Sequence, residues 1–255
     1  MSIGIIAAIH DELAELIAII TQQSTSQTHH IGMRDYYVGE LEGQACVLVL
    51  ARIGKVAAAA TAVTLIREFG VSEILFTGVA GGLAPHANVG DVVVADRLLQ
   101  HDMDASPLFP KHEIPLLGIR EFIAPKSLCE ELQTAVQQFL EHDIAHKIPA
   151  ETMAQFGLVK PSMHVGMIVC GDQFIGVANQ AADIRAALPM ALAAEMEGAA
   201  VAQICHEYGV PCAVMRTISD RADATAHVDF SAFVTAVASH YSSGILQRFL
   251  INRNT

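Results

Sequence analysis

Short apolar runs with almost no polar alternation recur along the chain, and most are followed by a stretch with helical periodicity. Ser2–Ala8, Glu73–Thr77, Asp91–Leu98, Val165–Cys170, Ala191–Glu195 and Cys212–Ile218 are such runs. A strand with one wet face alternates apolar and polar side chains, whereas a strand covered on both faces reads as a continuous apolar run. Helices are predicted from Asp11 (Leu13, Leu16, Ile17 and Ile20 on one face), over Lys55–Phe69 ending at Gly70, and over Lys126–His142, Asn179–Leu188, Gly198–Tyr208 and Ser231–Leu250. Tyr36–Leu41 and Ala45–Ala51 predict two further strands turning at Glu42-Gly43. Met103–Ile119 holds Pro107, Pro110 and Pro115 and predicts a long loop, and His146–Pro161 is irregular. No repeat or composition break divides residues 1–255, so the expectation is a single α/β domain with its sheet between helical layers.

The charge balance narrows the function classes. Lys and Arg number 15 against 27 Asp and Glu, a formal charge of −12. That lacks the basic footprint of a nucleic-acid binder and gives no attraction to an anionic membrane surface. The longest apolar stretches, Val56–Ile66 and Ile74–Pro85, fall short of the ~20 residues a membrane span needs. Met1–Ile9 is apolar without a basic flank, so it does not read as a signal peptide. Five cysteines without a C-x-x-C point to reduced thiols and a cytoplasmic setting. The twelve histidines are scattered without zinc spacing, and no metal or other cofactor is called for.

In α/β folds ligands bind where strands end at their carboxyl side, so the residues just past each run carry the interest. Glu12 follows the first strand; its plainer reading is an acid in a helix's first turn. Thr77-Gly78-Val79-Ala80-Gly81-Gly82 follows the Glu73 run; it matches neither G-x-G-x-x-G nor a Walker loop, and a tight turn is the plainer reading. Phe174 and Ile175 lie beyond Cys170, where an aromatic can stack on a base or fill the core. Met196-Glu197 follows Glu195, and Glu197 in so apolar a run needs hydrogen-bond donors such as sugar hydroxyls, or is an acid at a helix start. Ser219-Asp220 follows the last strand, and Arg216 inside that strand needs a partner, for which a structural ion pair suffices. Glu12, Glu197 and Asp220 together favour an acid–base enzyme; no G-x-S-x-G is present.

Taken in order, several segments resemble the nucleoside phosphorylase/nucleosidase superfamily, and most closely its methylthioadenosine/S-adenosylhomocysteine nucleosidases. They are Ile3-Gly4-Ile5-Ile6 with Ala8 and Glu12, Ile53-Gly54-Lys55-Val56-Ala57-Ala58, Thr77-Gly78-x-Ala80-Gly81-Gly82-Leu83, Val89-Gly90-Asp91-Val92-Val93-Val94, His101-Asp102-x-Asp104, Gly171-Asp172-x-Phe174-Ile175, Glu195-Met196-Glu197-x-Ala199-Ala200 and Arg216-x-Ile218-Ser219-Asp220. The resemblance implies a central mixed twisted β-sheet flanked by helices on both faces. It implies hydrolysis of the N-glycosidic bond of an adenine thionucleoside, with the nucleoside and water as small-molecule partners. Asp220 would be the general acid near adenine N7, which requires it to carry or share a proton near neutral pH, and Glu12 would activate water. Glu197 and the Met196 backbone would hold the ribose hydroxyls. Phe174 would stack on adenine while the Ile175 backbone reads its edge. Ser219 would assist Asp220, Arg216 would support the carboxylates, and Ile53, Val79, Ala80, Gly81 and Phe230 would line the pocket. A homodimer is also implied, with the loop around Leu108–Pro115 covering the neighbour's pocket.

Phosphorylases of the superfamily hold phosphate with an Arg and a Ser near the glycine loop. Here that loop reads Phe76-Thr77-Gly78-Val79, and Asp11 and Glu12 would repel an anion. The chain departs from the nucleosidase pattern at Val79 (usually Ser), Ile9 (often Met), His10 and Asp11, and at Arg52, which replaces a small residue. The loop Ala105–Ile119 matches poorly, and Ile144–Met163 looks like an insertion. A phosphate-dependent purine nucleoside phosphorylase, a nucleosidase for a related nucleoside such as aminodeoxyfutalosine, and a non-catalytic nucleoside-binding or storage protein stand as alternatives.

Overall fold

The computed structural model of the chain describes residues 2–222 and 226–254, with residues 227–229 described by their backbone alone. The elements run β1 (Ile3–Ala7), α1 (His10–Thr21), β2 (Gln27–Ile31), β3 (Arg34–Leu41), β4 (Gln44–Leu50), α2 (Lys55–Glu68), β5 (Glu73–Phe76), β6 (Val79–Gly82), β7 (Val92–Gln100), β8 (Glu121–Ile123) and α3 (Lys126–Gln138). They continue α4 (Ile144–Lys147), α5 (Ala150–Gln155), β9 (Met163–Cys170), α6 (Ala178–Ala187), β10 (Ala191–Glu195), α7 (Gly198–Tyr208), β11 (Cys212–Asp220), α8 (Ala226–Phe233) and α9 (Ser239–Asn252).

The strands form one mixed sheet in the order β2-β3-β4-β1-β5-β11-β6-β10-β9-β7-β8. β1 lies parallel to both β4 and β5, and β5 lies parallel to β11. β11 then changes neighbours along its length. Cys212–Val214 pair with β5, Met215–Thr217 pair antiparallel with β7, and Thr217–Asp220 pair parallel with β6. Because β7 also pairs with β9, strands β11, β6, β10, β9 and β7 close into a ring. Every residue of β11 is buried, as its unbroken apolar run implies.

Successive side chains of a strand point to opposite faces, and β1 sorts its residues accordingly. Ile5 joins a core formed with α1, α3 and α9 (Leu13, Leu16, Leu132, Leu246), while Ile6 joins one formed with α2 and α7 (Ala58, Ala62, Leu65, Val201). The double-sided cover inferred from the apolar runs is thus present. All five cysteines are buried free thiols. Among the described residues no helix is long and apolar enough to cross a membrane.

The structure corrects several sequence expectations. β2 (QTHHI) is exposed over most of its length, so it has no apolar run to reveal it. Residues 79–82, for which a tight turn was the plainer reading, form β6, with Gly81 and Gly82 opposite Ala194 and Ala193. β8 is only three residues long, and β11 extends to Asp220, which makes that residue part of the strand. Residues 139–143 and 234–238 are π-helical turns that interrupt the two long predicted helices. Within His146–Pro161, expected as irregular chain, lie the end of the short helix α4 and all of α5.

Gly244 in α9 lets that helix approach the ring of Phe139, itself fully buried. A Cβ at Gly244 would stand 2.3 Å from Cε2 and 2.5 Å from Cδ2 of Phe139. Overpacking of this kind costs about 1–3 kcal/mol. Gly244→Ala is therefore expected to lower the urea midpoint with an unchanged m-value; an unaltered midpoint would show that Phe139 has room to yield.

Candidate active site

The carboxyl ends of β1, β9, β10 and β11, with β6, surround a cavity of about 290 Å³. Glu12 sits in the first turn of α1, where free backbone amides and the helix dipole favour an anion. Its Oε2 accepts from the amides of Ala8 (2.8 Å) and Ile9 (3.1 Å), and its Oε1 accepts from Val79 N–H (3.0 Å). The Val79 contact requires glycine next door: Gly78 has φ +152°, and a Cβ there would lie 2.7 Å from Glu12 Oε1. Burial pushes the Glu12 pKa up, and the charge of Arg216 and the three amides pull it back.

Glu197 lies between β10 and α7, buried, with Oε1 accepting from Gly54 N–H at 2.8 Å. Gly54 is held in turn by the chain around it. Lys55 Nζ meets Asp102 Oδ1 at 2.6 Å, Lys55 N–H donates to Asp172 Oδ1 (2.8 Å), and Asp172 N–H donates to Asp102 Oδ2 (2.9 Å). This clamp ties the turn before α2 to the ends of β7 and β9. Burial, reinforced by the negative charge of Glu195, raises the Glu197 pKa to about 8.

Glu195 ends β10 and accepts from Gly198 N–H (2.7 Å) and Glu197 N–H (3.1 Å). Its Oε2 also receives Arg216 NH2 at 2.7 Å, and both side chains are almost completely buried. Arg216 lies over the Phe76 ring, 4.1 Å from its centroid, and donates to the carbonyls of Met215 and Phe76. Asp220, at the end of β11, is buried too. Its Oδ2 accepts from the Ser219 hydroxyl (2.8 Å) and its Oδ1 from Ala222 N–H (2.8 Å).

Of the residues singled out in the sequence, Glu12, Ile53, Val79, Ala80, Gly81, Phe174, Ile175, Met196, Glu197, Asp220 and Phe230 all line this cavity. Phe174 and Phe230 meet edge to face, 5.6 Å between centroids, with Phe174 partly exposed. Arg216 and Ser219, expected among the binding residues, do not reach the wall; they stand behind it, against Glu195 and Asp220. The sequence reading missed Glu195 as a site group, although the need of Arg216 for a partner pointed to a carboxylate. It also gave no role to Ala8, Gln173 or Ala194. Glu12, Glu195, Glu197 and Asp220 are the acidic residues that line the cavity, and no Lys, Arg or His among the described residues does. No cluster of His, Cys, Asp and Glu suited to a metal ion occurs among the described residues.

The family model of the phosphorylase superfamily matches residues 2–251. A 5'-methylthioadenosine/S-adenosylhomocysteine nucleosidase of Staphylococcus aureus is 35% identical over 237 residues, 92% of this chain and 93% of its own. The crystal structure of the S-adenosylhomocysteine nucleosidase of Streptococcus pyogenes in complex with 5-methylthiotubericidin superposes with a TM-score of 0.85 at 32% identity, covering 99% of this chain and 97% of that one. A futalosine hydrolase of Helicobacter pylori superposes with a TM-score of 0.82 at 28% identity, covering 97% of each chain. The chain belongs to the phosphorylase superfamily and, within it, to the methylthioadenosine/S-adenosylhomocysteine nucleosidases, hydrolases of the N-glycosidic bond.

The raised pKa of Glu197 has a consequence for stability. The native state keeps this proton up to about pH 8, while the unfolded chain loses it near 4.5. The unfolded state thus binds fewer protons between those values, and the contribution of Glu197 to stability falls as pH rises through that window. Glu197→Gln cannot ionise, so the ligand-free variant should gain in Tm relative to wild type from about pH 5 to about pH 8. A Tm difference constant across that range would mean that Glu197 titrates as an ordinary carboxylate.

Proposed function

We propose that the chain hydrolyses the N-glycosidic bond of adenine nucleosides bearing a 5′-thio substituent, methylthioadenosine and S-adenosylhomocysteine. The observation that carries this is the ring of carboxylates around a cavity without a lining cation. Phosphorolysis needs a cation to anchor a phosphate beneath the sugar, and among the described residues no Lys, Arg or His lines the cavity to supply one.

The reaction separates C1′ from the adenine nitrogen through a ribosyl cation. Asp220 gives a proton to adenine near N7, so that the base leaves neutral. Glu12 accepts a proton from the water whose oxygen bonds to C1′, and its negative charge faces the developing cation, as in glycoside hydrolysis. Glu197 accepts from the ribose hydroxyls beside the Met196 backbone. Phe174 stacks on the base and Phe230 closes the apolar wall. Ser219 orients Asp220, and Arg216 acts from behind by holding Glu195. The partner state we propose is a homodimer; the exposure of Leu108 and Leu116 on the long loop supports a covered apolar surface there, and sedimentation velocity reads it directly.

Adenine release from either nucleoside is expected in phosphate-free buffer. Glu12→Gln and Asp220→Asn should each lower kcat by about 10²–10⁴-fold, the range for a positioned acid or base, with circular dichroism unchanged. Release that requires phosphate and yields a ribose phosphate would make the chain a phosphorylase, and binding without turnover a storage protein. Aminodeoxyfutalosine belongs in the same assay, given the likeness to the futalosine hydrolase.

A further inference from the structure

A second groove, of about 460 Å³, adjoins the nucleoside cavity, and Ala8, Ile9 and Ile53 line both. Two arginines face it. Arg34 lies at the start of β3, and its guanidinium donates to the carbonyls of Gly32 (2.9 Å), Ala51 (3.2 Å) and Ala57 (3.3 Å). Arg52 is exposed in the turn before α2, and its NH2 donates to Met33 O (2.5 Å) at the tip of the β2–β3 hairpin. Its remaining N–H groups meet no protein acceptor among the described residues. Neither guanidinium has a carboxylate within 4.0 Å among those residues, although the chain is acidic overall. The carboxylate of the groove, Asp35, pairs with His30 at 2.8 Å. His10 also borders it.

Arg52 is held at φ +71°. A left-handed backbone disfavours any residue with a Cβ. Glycine would occupy the position without that cost, so the long cationic side chain stands where the backbone does not favour one.

We infer that this groove binds a carboxylate carried by the 5′-substituent of the nucleoside, with Arg52 as its direct contact and Arg34 as a fixed second charge. The inference rests on the nucleoside reading of the adjoining cavity. The residues common to the two spaces neighbour Glu12 and Gly54, the groups placed at the reacting water and behind the ribose-binding Glu197. Asp220, at the base, is absent from the groove. A chain leaving C5′ between Ile9 and Ile53 therefore enters between the two guanidiniums. A methylthio group has nothing to offer either arginine. Arg52 thus sets specificity among 5′-substituents and does not act on the bond that breaks.

The test compares steady-state kinetics on S-adenosylhomocysteine, its carboxamide analogue and methylthioadenosine in phosphate-free buffer. A hydrogen-bonded charge in a partly exposed site is worth about tenfold. For the unaltered enzyme the carboxamide should show a KM about tenfold above that of S-adenosylhomocysteine, with kcat little changed. Arg52→Gly, which also relieves the backbone, should lower the ratio of kcat/KM for S-adenosylhomocysteine to that for methylthioadenosine by about tenfold, through KM. Arg52→Lys should retain part of the preference. Equal KM values for acid and amide, or an unaltered ratio in Arg52→Gly, overturns the inference while leaving the hydrolase reading intact. If the unaltered enzyme cleaves neither nucleoside, the hydrolase reading fails and this inference falls with it. A phosphate requirement that disappears in Arg52→Gly would assign the arginine to a co-substrate and overturn the inference too.

Discussion

The buried ion pair of Arg216 with Glu195 is the contact on which the site is built. A guanidinium with 1% exposure is costly to desolvate and tolerable only when its donors are met. Here a carboxylate, two main-chain carbonyls and the Phe76 ring meet it. The pair joins the middle of β11 to the end of β10. From that end Glu195 also takes the first amides of α7, which fixes the turn that presents Glu197. Arg216 further supplies the positive charge that moderates both Glu12 and Glu197. Without it, burial of Glu12 and Glu197 would be opposed only by main-chain amides, and both would be pushed further toward the protonated form.

Strand topology then sets the distances. β11 serves β5, β7 and β6 in turn, and its register slips against β6 between Ile218 and Asp220. That irregularity coincides with the place where Asp220 turns toward Ser219 and Ala222. Glycines supply the clearance: Gly78 admits the Glu12 carboxylate, and Gly54 offers its amide to Glu197. Side chains carried on strand ends and on the first turns of helices are held more rigidly than loop residues, which suits the acid and base roles we propose for Asp220 and Glu12.

The sequence made the central strands legible because burial on both faces leaves a plain mark, a run without alternation. Gly198–Tyr208 with Gly209 at φ +68° was legible through cap chemistry. The wet strand β2, the glycine-rich strand β6 and the three-residue β8 lack any such mark, since pairing partners and not their own side chains make them strands. Glu12, Glu197 and Asp220 could be picked out as acids in apolar surroundings. That Arg216 and Ser219 stand behind the wall could not, because on a strand buried on both faces period-2 alternation does not say which side chains meet the ligand. The π-helical turns at Phe139 and Val234 are equally silent in the sequence, since each falls within an otherwise regular apolar periodicity.

The placement of cations separates the roles within the site. Arg216 is behind the carboxylates, already occupied by Glu195 and carbonyl oxygens, and cannot take an incoming anion without breaking a buried pair, a loss of about 3–5 kcal/mol. Arg34 and Arg52 are to one side, beyond Ile9 and Ile53, and their hydrogen bonds run to main-chain carbonyls. The cavity itself keeps only acids. A phosphate would find no cation there to hold it, whereas a water needs only a group to take its proton. In the mechanism we propose, the one acid that must be ionised is Glu12, and the three main-chain amides and the Arg216 charge that oppose its protonation are what keep a negative charge available to face a ribosyl cation.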